Sequence, residues 1–531
     1  MKGRPMQHRL RLRGWLRTET PLHVGGVALD PAEALPVAVD GQDHVYVPGT
    51  ALAGALRAWM RGADPSGPAN DKINDMWGFT VDGEPNSGRA SRVVVRDAII
   101  AASTRTDADG LPSEPISRNG LPVRHGVGID RVTGAAASAI LYARTVVPPG
   151  RYLSFDLDIE TTERDLDRDR ARLRLLLAAL RAEEITLGAA GSKGLGVVTL
   201  LPSPLDVHEH DFTGVAGLLA FLGGTPATFA DVPGDAGVAA LPERRELLTV
   251  TLGWRPLSPV MVRASGEGAM VKTLPLTTTS GRDSLVLTLS GSSIKGALRS
   301  HGEFIERTVR GDNAPVPEAA AATAQAHSDA FSRQFDELDA VRALFGAPHG
   351  KPDKDCFPWG AGALTAHECV SETTIPAETW NVVVDGPLDG APVPDGKRPL
   401  PDAVRDELSG RGLDQADHVA IDRWTGGAAD SLLFSVLEPH GVDWEPIRLT
   451  VDLTRLGCYR DSAVALLMLV LRDLENRRLP LGGMVNRGFG DVEITSVDIS
   501  GGGWAAGTSL ATALGTPRLV RAWRDYLGED E

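Results

Sequence analysis

The sequence predicts an α+β protein built from two tandem domains, and three observations lead to that prediction. The chain has 531 residues, and at roughly 100–200 residues per domain it is too long for one domain. Motifs of the first half recur in the second half in the same order. Within each half, strand-like alternation of apolar residues is interleaved with helical periodicity. We therefore expect one mixed fold that occurs twice.

Three motifs establish the repeat, and each occurs once in either half. They are a glycine turn with Gly-Ala-Leu-Arg or its equivalent (48–57 and 290–299), the string Ile-Asp-Arg-x-Thr-Gly (129–134 and 421–426), and a basic residue followed by Gly-x-Gly (193–196 and 487–490). Chance similarity would not preserve their order. The glycine turn lies about 50 residues further from the other two motifs in the second copy, because that copy has longer loops, at about 310–330 and 376–416.

The residue pattern also predicts the order of elements within each copy. Leucines that alternate with arginines from Arg9 to Arg17 predict a half-buried first strand. Thr50 or Ser292 is placed to cap the helix after the glycine turn. The later elements are a valine strand (93–95), the Ile-Asp-Arg-x-Thr-Gly segment, an extended stretch (152–159; 447–453), an amphipathic helix (166–180; 462–474), the glycine loop and a last strand (197–201; 491–494). This βαβ…βαβ order is typical of a ferredoxin-like domain.

The repeat sets the predicted domain bounds. We predict a first domain over 1–202, a loop-rich linker over 203–245, a second domain over 246–498 and a C-terminal tail over 499–531. A sheet that is covered by helices on one face leaves the other face open, and open sheets of this type often bind RNA.

Composition excludes several classes of protein. A hydrophobic fraction of 42% with 23% charged residues excludes general disorder. Three cysteines are too few for a disulfide framework and favour a cytoplasmic protein. We expect neither a membrane span nor a secretion signal, because no apolar run is long enough. The net charge of −16 counts against indiscriminate nucleic-acid binding but is compatible with a local basic track.

The Ile-Asp-Arg-x-Thr-Gly segment has two interpretations. Its Asp, Arg and Thr can satisfy one another in a hairpin turn. Alternatively, a protruding loop can place Arg131 or Arg423 on a phosphate and Trp424 against a base. The recurrence favours a functional role, because turn chemistry alone does not require the same residues twice.

The glycine-rich loops around Lys193 and Arg487 also have two interpretations. Glycine amides beside a basic residue can cradle a phosphate, or the loop can be a tight connection between a helix and a strand. The loops are not nucleotide P-loops, because the GxxxxGK[ST] string is absent and a strand follows. On the first strand, the arginines and Trp15 predict either a solvated face or a basic platform for a nucleic-acid backbone.

Other motifs predict no site. Ser292-x-x-Lys295 resembles the nucleophile pair of penicillin-recognising enzymes but lacks the partner motifs. The acids and histidines at 206–211 are expected to be solvated linker residues rather than metal ligands. Cys356 and Cys369 lack the spacing of a structural zinc site.

Taken together, the ordered motifs resemble the RAMP superfamily of CRISPR-associated proteins, and more narrowly the backbone subunits of type III effector complexes. PGTALAGALR, WGF, IDRVTGAAA and GSKGLG carry the resemblance in the first copy, and GSSIKGALR, LFG, IDRWTGGAAD and NRGFG carry it in the second. The resemblance covers nearly the whole chain apart from the linker and about the last thirty residues. It implies two tandem modified ferredoxin-like (RRM-like) domains with long loop and thumb-hairpin insertions, arranged along a guide RNA.

The resemblance also implies which residues contact RNA. The Ile-Asp-Arg-x-Thr-Gly segments would lie in the thumbs, and the helix after the glycine turn would line the guide backbone. With the two glycine-loop cations, the predicted RNA-binding residues are Arg57, Asp130, Arg131, Thr133, Lys193, Lys295, Arg299, Asp422, Arg423, Trp424, Thr425 and Arg487.

Target cleavage has less support in the sequence. In the family, an acidic residue shortly before a Pro-[Val/Leu] pair cuts the target RNA. Both copies contain the pair, but the residues matched to that acid are Ala34 and Thr273. Asp30 and Glu33 are the nearby acids and therefore the candidate catalytic residues. Since either would act only if the loop brings it beside the thumb's splayed nucleotide, we predict a backbone that does not cut.

We therefore predict a cytoplasmic subunit that binds guide RNA (crRNA) with other subunits in a type III-like CRISPR effector and recognises complementary target RNA in antiviral defence. No tightly bound cofactor is expected, and a divalent metal such as Mg²⁺ would be needed only for cleavage. One alternative is an endoribonuclease that cuts target RNA or trims guide precursors, which a histidine site around His23 or His125 would favour. A protein-only scaffold is another, which a missing basic groove would favour.

Overall fold

The computed structural model describes residues 6–27, 33–64, 72–80, 88–234, 241–316, 323–335, 337–347, 360–386 and 400–528. The strands, in chain order, are β1 (His8–Thr18), β2 (Tyr46–Val47), β3 (Val93–Val95), β4 (Ala98–Ala101), β5 (Val123–Ile129), β6 (Ala136–Thr145), β7 (Tyr152–Thr161), β8 (Val198–Leu200), β9 (Asp206–Asp211), β10 (Ala227–Phe229), β11 (Leu247–Pro256), β12 (Thr277–Thr279), β13 (Ser284–Leu289), β14 (Gly346–Ala347), β15 (Gly360–Ala361), β16 (Leu364–Ala366), β17 (Cys369–Pro376), β18 (Leu413–Ile421), β19 (Ala428–Pro439), β20 (Ile447–Asp452), β21 (Val492–Gly501) and β22 (Trp504–Thr508).

The helices are α1 (Gly49–Arg61), α2 (Asn74–Trp77), α3 (Leu166–Arg181), α4 (Val215–Leu222), α5 (Gly291–Arg310), α6 (Ala324–Arg333), α7 (Asp339–Phe345), α8 (Ala377–Asp385), α9 (Asp402–Ser409), α10 (Arg460–Glu475), α11 (Leu510–Leu514) and α12 (Pro517–Leu527). Within the described ranges, no helix is both long and apolar enough to cross a membrane. The fold is mixed α+β with several antiparallel sheets, and the predicted class is confirmed at that level.

The chain divides into two compact units. Unit 1 comprises residues 1–122, 144–191 and 195–245, and unit 2 comprises 123–143, 192–194 and 246–531. Unit 2 thus contains most of the first copy's hairpin β5–β6 and the tip of the first glycine loop. The domain bounds that we derived from the repeat stay a prediction.

The main sheet of unit 1 has the strand order β10-β9-β1-β7-β4-β2, with β3 also paired to β7 and β8 to β1. The leucines of β1 are fully buried and share one core with Leu173 and Leu177 of α3. Alternation therefore sends one side of β1 into the core and its arginines to the opposite face. Residues 206–211 form β9, which pairs with β1. The expected solvation of this segment is wrong at His210, which is buried.

The main sheet of unit 2 has the order β16-β20-β11-β21-β22. Helices α5 and α10 lie over one core with it, and α10 contributes an almost continuous run of buried apolar residues. The C-terminal segment belongs to this unit, since Leu510, Ala513 and Leu519 of α11 and α12 lie in the same core.

Candidate nucleic-acid interface

Each Ile-Asp-Arg-x-Thr-Gly segment forms the tip of a two-stranded hairpin. We call β5–β6 the first thumb and β18–β19 the second thumb. Asp130 Oδ1 accepts backbone N–H bonds from Val132 at 3.0 Å and Thr133 at 2.7 Å. Asp422 Oδ1 accepts the same pair of bonds from Trp424 and Thr425, both at 2.8 Å. The motif therefore builds the same turn twice.

The glycine of the motif is needed for that turn. Gly134 and Gly426 have φ of +64° and +70°, in the left-handed region that favours glycine. Their N–H groups donate to the carbonyl oxygens of Asp130 and Asp422 at 2.9 and 2.8 Å. The threonines are exposed, and each hydroxyl accepts a further N–H within the turn. Turn chemistry thus accounts for the Asp, Thr and Gly of the motif, but not for the arginine.

Both aspartates are held in the charged form. Hydrogen bonds from the N–H groups of Thr425 and Trp424 lower the pKa of Asp422. Burial works in the opposite direction at Asp130, but the bonds from Thr133 and Gln334 outweigh it and leave the pKa of Asp130 below its ordinary value.

In the first thumb, the arginine of the motif is bound to protein. The guanidinium of Arg131 forms a short ion pair with Glu303 of α5, and the side chains of the two residues are 14% and 3% exposed. The guanidinium carbon also lies 5.2 Å from the ring centroid of Phe335. Burial strengthens the attraction between the two charges but also costs desolvation, so the guanidinium depends on keeping its counter-charge.

A glutamine completes the contact at the thumb tip. The N–H of Arg131 donates to Gln334 Oε1 at 3.1 Å, and Gln334 Nε2 donates to Asp130 Oδ2 at 2.9 Å. Arg299 of α5 donates to Glu303 at 2.7 Å and lies 4.4 Å from the ring of Phe335. We call Arg299, Glu303, Gln334 and Phe335 the thumb acceptor. All these contacts lie within unit 2.

The second thumb carries the same motif without such contacts. Arg423 is exposed, and it has no hydrogen-bond or ionic partner in the part of the chain that the structure describes. Trp424 is 96% exposed, whereas Val132 at the equivalent position is 44% exposed. A tryptophan so fully exposed to water is unusual, and Trp424 stays a candidate contact residue.

Both thumbs also present an apolar stripe that the sequence analysis missed. The stripe has three equivalent members in each copy, all at least 40% exposed: Val127, Ile129 and Leu141 in the first thumb, and Val419, Ile421 and Leu433 in the second. Val419 lies directly opposite Leu433 across the hairpin. In the first thumb the stripe stays exposed even though the tip is docked. The signal in the sequence was the alternation around Val127 and Val419, which is typical of a strand with one apolar face.

The glycine-loop cations pack against the bases of the thumbs. Lys193 Nζ lies 5.4 Å from the ring centroid of Tyr142 and donates to its hydroxyl at 3.1 Å. The guanidinium carbon of Arg487 lies 4.9 Å from the ring centroid of Phe434, which is the equivalent residue of the second thumb. The same cation–π contact therefore recurs in both copies.

The glycine loops themselves are tight connections. Gly196 and Gly490 have φ of +80° and +88°, and a Cβ on either would lie 1.9 or 2.5 Å from a leucine carbonyl oxygen. Their N–H groups donate to the carbonyl oxygens of Pro21 and Pro259, each at 2.9 Å. These amides are therefore already engaged within the protein, so the structure favours the connection over the phosphate cradle.

The predicted guide-lining helix residues are largely engaged. Lys295 is buried, its Nζ donates to the carbonyl oxygen of Leu364 at 2.6 Å, and burial lowers its pKa to about 7. Arg57 is half-buried and donates to Asn74 Oδ1 at 2.8 Å. Burial lowers the pKa of Arg299, and the nearby Glu303 carboxylate offsets only part of that shift. Their contact with RNA stays a prediction.

The arginine face of β1 is neutralised by an acidic strand. Three cross-strand ion pairs join β1 to β7: Arg9–Glu160 at 3.7 Å, Arg11–Asp158 at 2.8 Å and Arg13–Asp156 at 3.4 Å. Trp15 is 5% exposed and therefore does not alternate with the arginines on an open face. The basic, aromatic-interleaved platform is thus wrong for this strand.

The loop with the candidate catalytic acids is anchored at the base of a thumb in each copy. The N–H of Thr145 donates to the carbonyl oxygen of Leu35 at 2.9 Å, and the N–H of Leu437 donates to that of Thr273 at 3.0 Å. Leu35 thus corresponds to Thr273, so our pairing of Ala34 with Thr273 is wrong by one residue. Lys272 is the true counterpart of Ala34.

Few acids line these loops. Glu33 is exposed, and Asp30 lies outside the described residues. In the second copy Glu267, which we did not predict, is an exposed acid whose carboxylate lies 3.9 Å from Lys272 Nζ and 3.8 Å from the guanidinium of Arg263. Among the described residues, no cluster of three or more His, Cys, Asp or Glu could hold a metal ion.

His23 and Cys369 lie in structural positions, whereas His125 is exposed. His23 is buried and its Nδ1 lies 2.7 Å from the carbonyl oxygen of Thr145, while burial lowers its pKa. Burial also raises the pKa of Cys369 to about 12, and its thiol donates to the carbonyl oxygen of Glu445 at 3.1 Å. A neutral, hydrogen-bonded thiol is a poor metal ligand. Cys356 lies outside the described residues.

Comparison with known proteins defines the class of this chain. A model of the RAMP superfamily matches residues 15–199 and 257–493, one match in each copy. These matches cover most of the chain, so the protein belongs to the RAMP superfamily, and the predicted tandem of two such regions is confirmed. No curated protein matches the chain significantly. Superfamily members generally bind RNA and act in multi-subunit complexes, which supports a CRISPR-associated, RNA-binding role.

Proposed function

We propose that the chain is a guide-RNA-binding backbone subunit of a type III-like CRISPR effector, with one guide-binding module in each copy. The observation that carries the proposal is the recurrence, in both thumbs, of an exposed apolar stripe on a hairpin held by the same aspartate turn. An exposed apolar stripe is unfavourable in water unless a partner covers it. Unstacked bases are such a partner, because they bind apolar and aromatic side chains irrespective of sequence.

Each copy is proposed to be a modified ferredoxin-like domain. The strand orders β8-β1-β7-β3 and β21-β11-β20-β16 place equivalent strands at equivalent positions, with the first strand of each copy between its last and its third. The helices α3 and α10 follow the third strand in both. These equivalences support the proposal that each copy is a four-stranded βαββαβ unit.

The roles of the predicted residues differ between the two thumbs. Trp424 and the two apolar stripes are proposed to contact splayed bases of the guide and target strands. Arg131 is proposed to orient the first thumb through Glu303 rather than to bind phosphate. Lys193 and Arg487 are proposed to brace the thumb bases, with Arg487 exposed enough to contact phosphate as well.

RNA binding is proposed to need no bound cofactor. If the loop acids cut the target, a divalent metal such as Mg²⁺ would assist by stabilising charge on the phosphate. We favour a backbone that does not cut, because the position that carries the family's acid is occupied by Ala34 in one copy and Lys272 in the other. The buried His23 gives no support to the alternative of a histidine-based ribonuclease.

One experiment tests both parts of the proposal. The native complex is purified, its RNA is sequenced, and labelled RNA complementary to that guide is added with Mg²⁺ or Mn²⁺. We expect a uniform class of guide and intact target. We also expect RNA affinity to fall with salt, with a slope of log affinity against log salt concentration of about 0.7 per phosphate neutralised on a single strand. A complex without guide RNA would contradict the binding role. Regular cleavage that Glu33→Ala or Asp30→Ala abolishes would contradict the non-cutting role alone.

A further inference from the structure

The first thumb shows what the arginine of the motif does when it is docked. Its guanidinium enters a pocket that consists of a buried carboxylate, Glu303, and the ring of Phe335, while the backbone of Gly128 lies against Phe331. A Cβ on Gly128 would lie 2.7 Å from the Phe331 ring. The docked face is therefore the one opposite the apolar stripe, since Gly128 alternates with Val127 and Ile129 along β5.

The second thumb has the same docking face without an acceptor. Ala420 stands where Gly128 stands in the first thumb, and Arg423 stands where Arg131 does. The aspartate turn that aims the arginine is already formed. An arginine with no ionic partner in the described chain, held on a preformed turn, fits a partner that supplies a desolvated carboxylate.

A second copy of this chain does not supply that acceptor. Its Glu303 is already paired with its own Arg131. In the first copy, the residue equivalent to Glu303 is Arg61, at the end of α1, which would repel Arg423. Gln334 and Phe335 belong to the segment 311–344, and the corresponding segment of the first copy, 62–76, is much shorter and contains no phenylalanine.

We infer that Arg423 and the Ala420 face of the second thumb dock onto a different subunit, whose helix presents a buried carboxylate beside an aromatic ring. This docking rests on the proposed function, in which the chain is one subunit of a larger complex. The partner of the second thumb is identified only by the chemical groups that it must present. The apolar stripe and Trp424 lie outside this contact, as Val127, Ile129 and Val132 do in the first thumb, and they stay available to RNA. The first thumb would thus dock on the thumb acceptor of its own chain, and the second thumb would dock on a similar site of a different subunit.

Site-specific photo-crosslinking in the native complex tests the inference. A benzophenone amino acid replaces Ala420 in the tagged full-length chain, and the same replacement at the exposed Val419, on the opposite face of the same strand, is the matched control that should not crosslink to a protein subunit. After irradiation and nuclease digestion, we expect an adduct from position 420 to another polypeptide, on a helix with an acidic residue. An adduct to RNA alone, to an isotopically labelled second copy of this chain, or no adduct at all would overturn the inference.

Charge reversal provides a second, independent measurement. Arg423→Glu should lower the yield of the crosslinked subunit at least tenfold, because it opposes the partner's carboxylate. Arg521→Glu makes the same charge change on an exposed position of α12 and should leave the yield unchanged. Reversing the partner's acid to lysine should restore binding to Arg423→Glu, and failure of that rescue would overturn the ion pair. Guide RNA content is measured in each sample. A wild-type complex without guide RNA would contradict the proposed function. A complex that contains guide RNA, but in which Arg423→Glu leaves the yield of the crosslinked subunit unchanged, would contradict only the docking.

Discussion

The two thumbs have the same tip sequence and the same turn but different surroundings. Asp130 and Asp422 accept equivalent hydrogen bonds, so the hairpin tips are set locally in both. Arg131 is nearly buried against Glu303, whereas Arg423 is exposed. The difference shows that the motif combines two functions: a turn that it forms by itself, and an arginine whose role depends on whether an acceptor is present.

The largest expected effect comes from removing the acceptor carboxylate. Glu303→Gln leaves the buried guanidinium groups of Arg131 and Arg299 without their counter-charge, and loss of one partner of a buried pair costs about 3–5 kcal/mol. We expect faster amide hydrogen exchange in the first thumb and in α5, with the second thumb unchanged. Glu372→Gln, at an exposed glutamate of the same unit, is the matched control. Equal protection of the first thumb in the wild type and in Glu303→Gln would mean that the thumb does not depend on this acceptor.

The acceptor helix also differs from its counterpart at Lys295, where the first copy has Ala53. Burial lowers the pKa of Lys295 to about 7, well below that of a lysine in the unfolded chain. Between these two values the unfolded state binds more protons, so the free energy of unfolding rises with pH above about 7. A single site of this kind contributes about 2 kcal/mol between pH 7 and pH 9.

Lys295→Met should remove that dependence. We expect the variant to be more stable than the wild type at pH 7 and its advantage to shrink towards pH 9, measured by urea unfolding followed through the exchange of α5 amides. Lys272→Met, at an exposed lysine, should leave the pH dependence as it is. A parallel pH dependence in wild type and Lys295→Met would show that Lys295 keeps its ordinary pKa.

The features that the two thumbs share could be predicted from the sequence, because they depend on residues close together in the chain. The repeat, the strand alternation and the aspartate turn depend on neighbouring residues, and all are present in the structure. Docking could not be predicted, because Glu303 and Gln334 are distant in sequence from Arg131 and nothing marks them as its partners. The predicted basic platform on β1 was wrong for the same reason. The charge of its arginines is cancelled by the acids of β7, which become their neighbours only through the antiparallel register.

The two thumbs differ at the residue after the motif arginine, which is Trp424 in the second thumb and Val132 in the first, so we expect them to contact RNA with different strength. Trp424→Ala should weaken guide or target binding by about 1–3 kcal/mol if the indole stacks on a base. Val132→Ala, the equivalent change in the first thumb, removes a smaller side chain and should have less effect. Binding is measured by titration of labelled RNA into the complex, and melting of each variant is recorded in parallel. If Trp424→Ala binds RNA as the wild type does, the exposed indole has some other partner.

The smallest effect concerns the cations at the thumb bases, where the two copies should behave alike. Arg487→Gln and Lys193→Gln each remove a cation–π contact worth about 0.5–1 kcal/mol at an exposed site, so amides at the base of the corresponding thumb should exchange a few-fold faster. If Arg487 also binds phosphate, Arg487→Gln should reduce the salt dependence of RNA affinity by about 0.7 in slope. Arg521→Gln, on an exposed arginine of α12, should change neither quantity. Because Lys193 donates to Tyr142 as well as packing on its ring, Lys193→Gln should loosen its thumb without altering the salt slope. An altered slope in both variants would instead place both glycine loops on the RNA backbone.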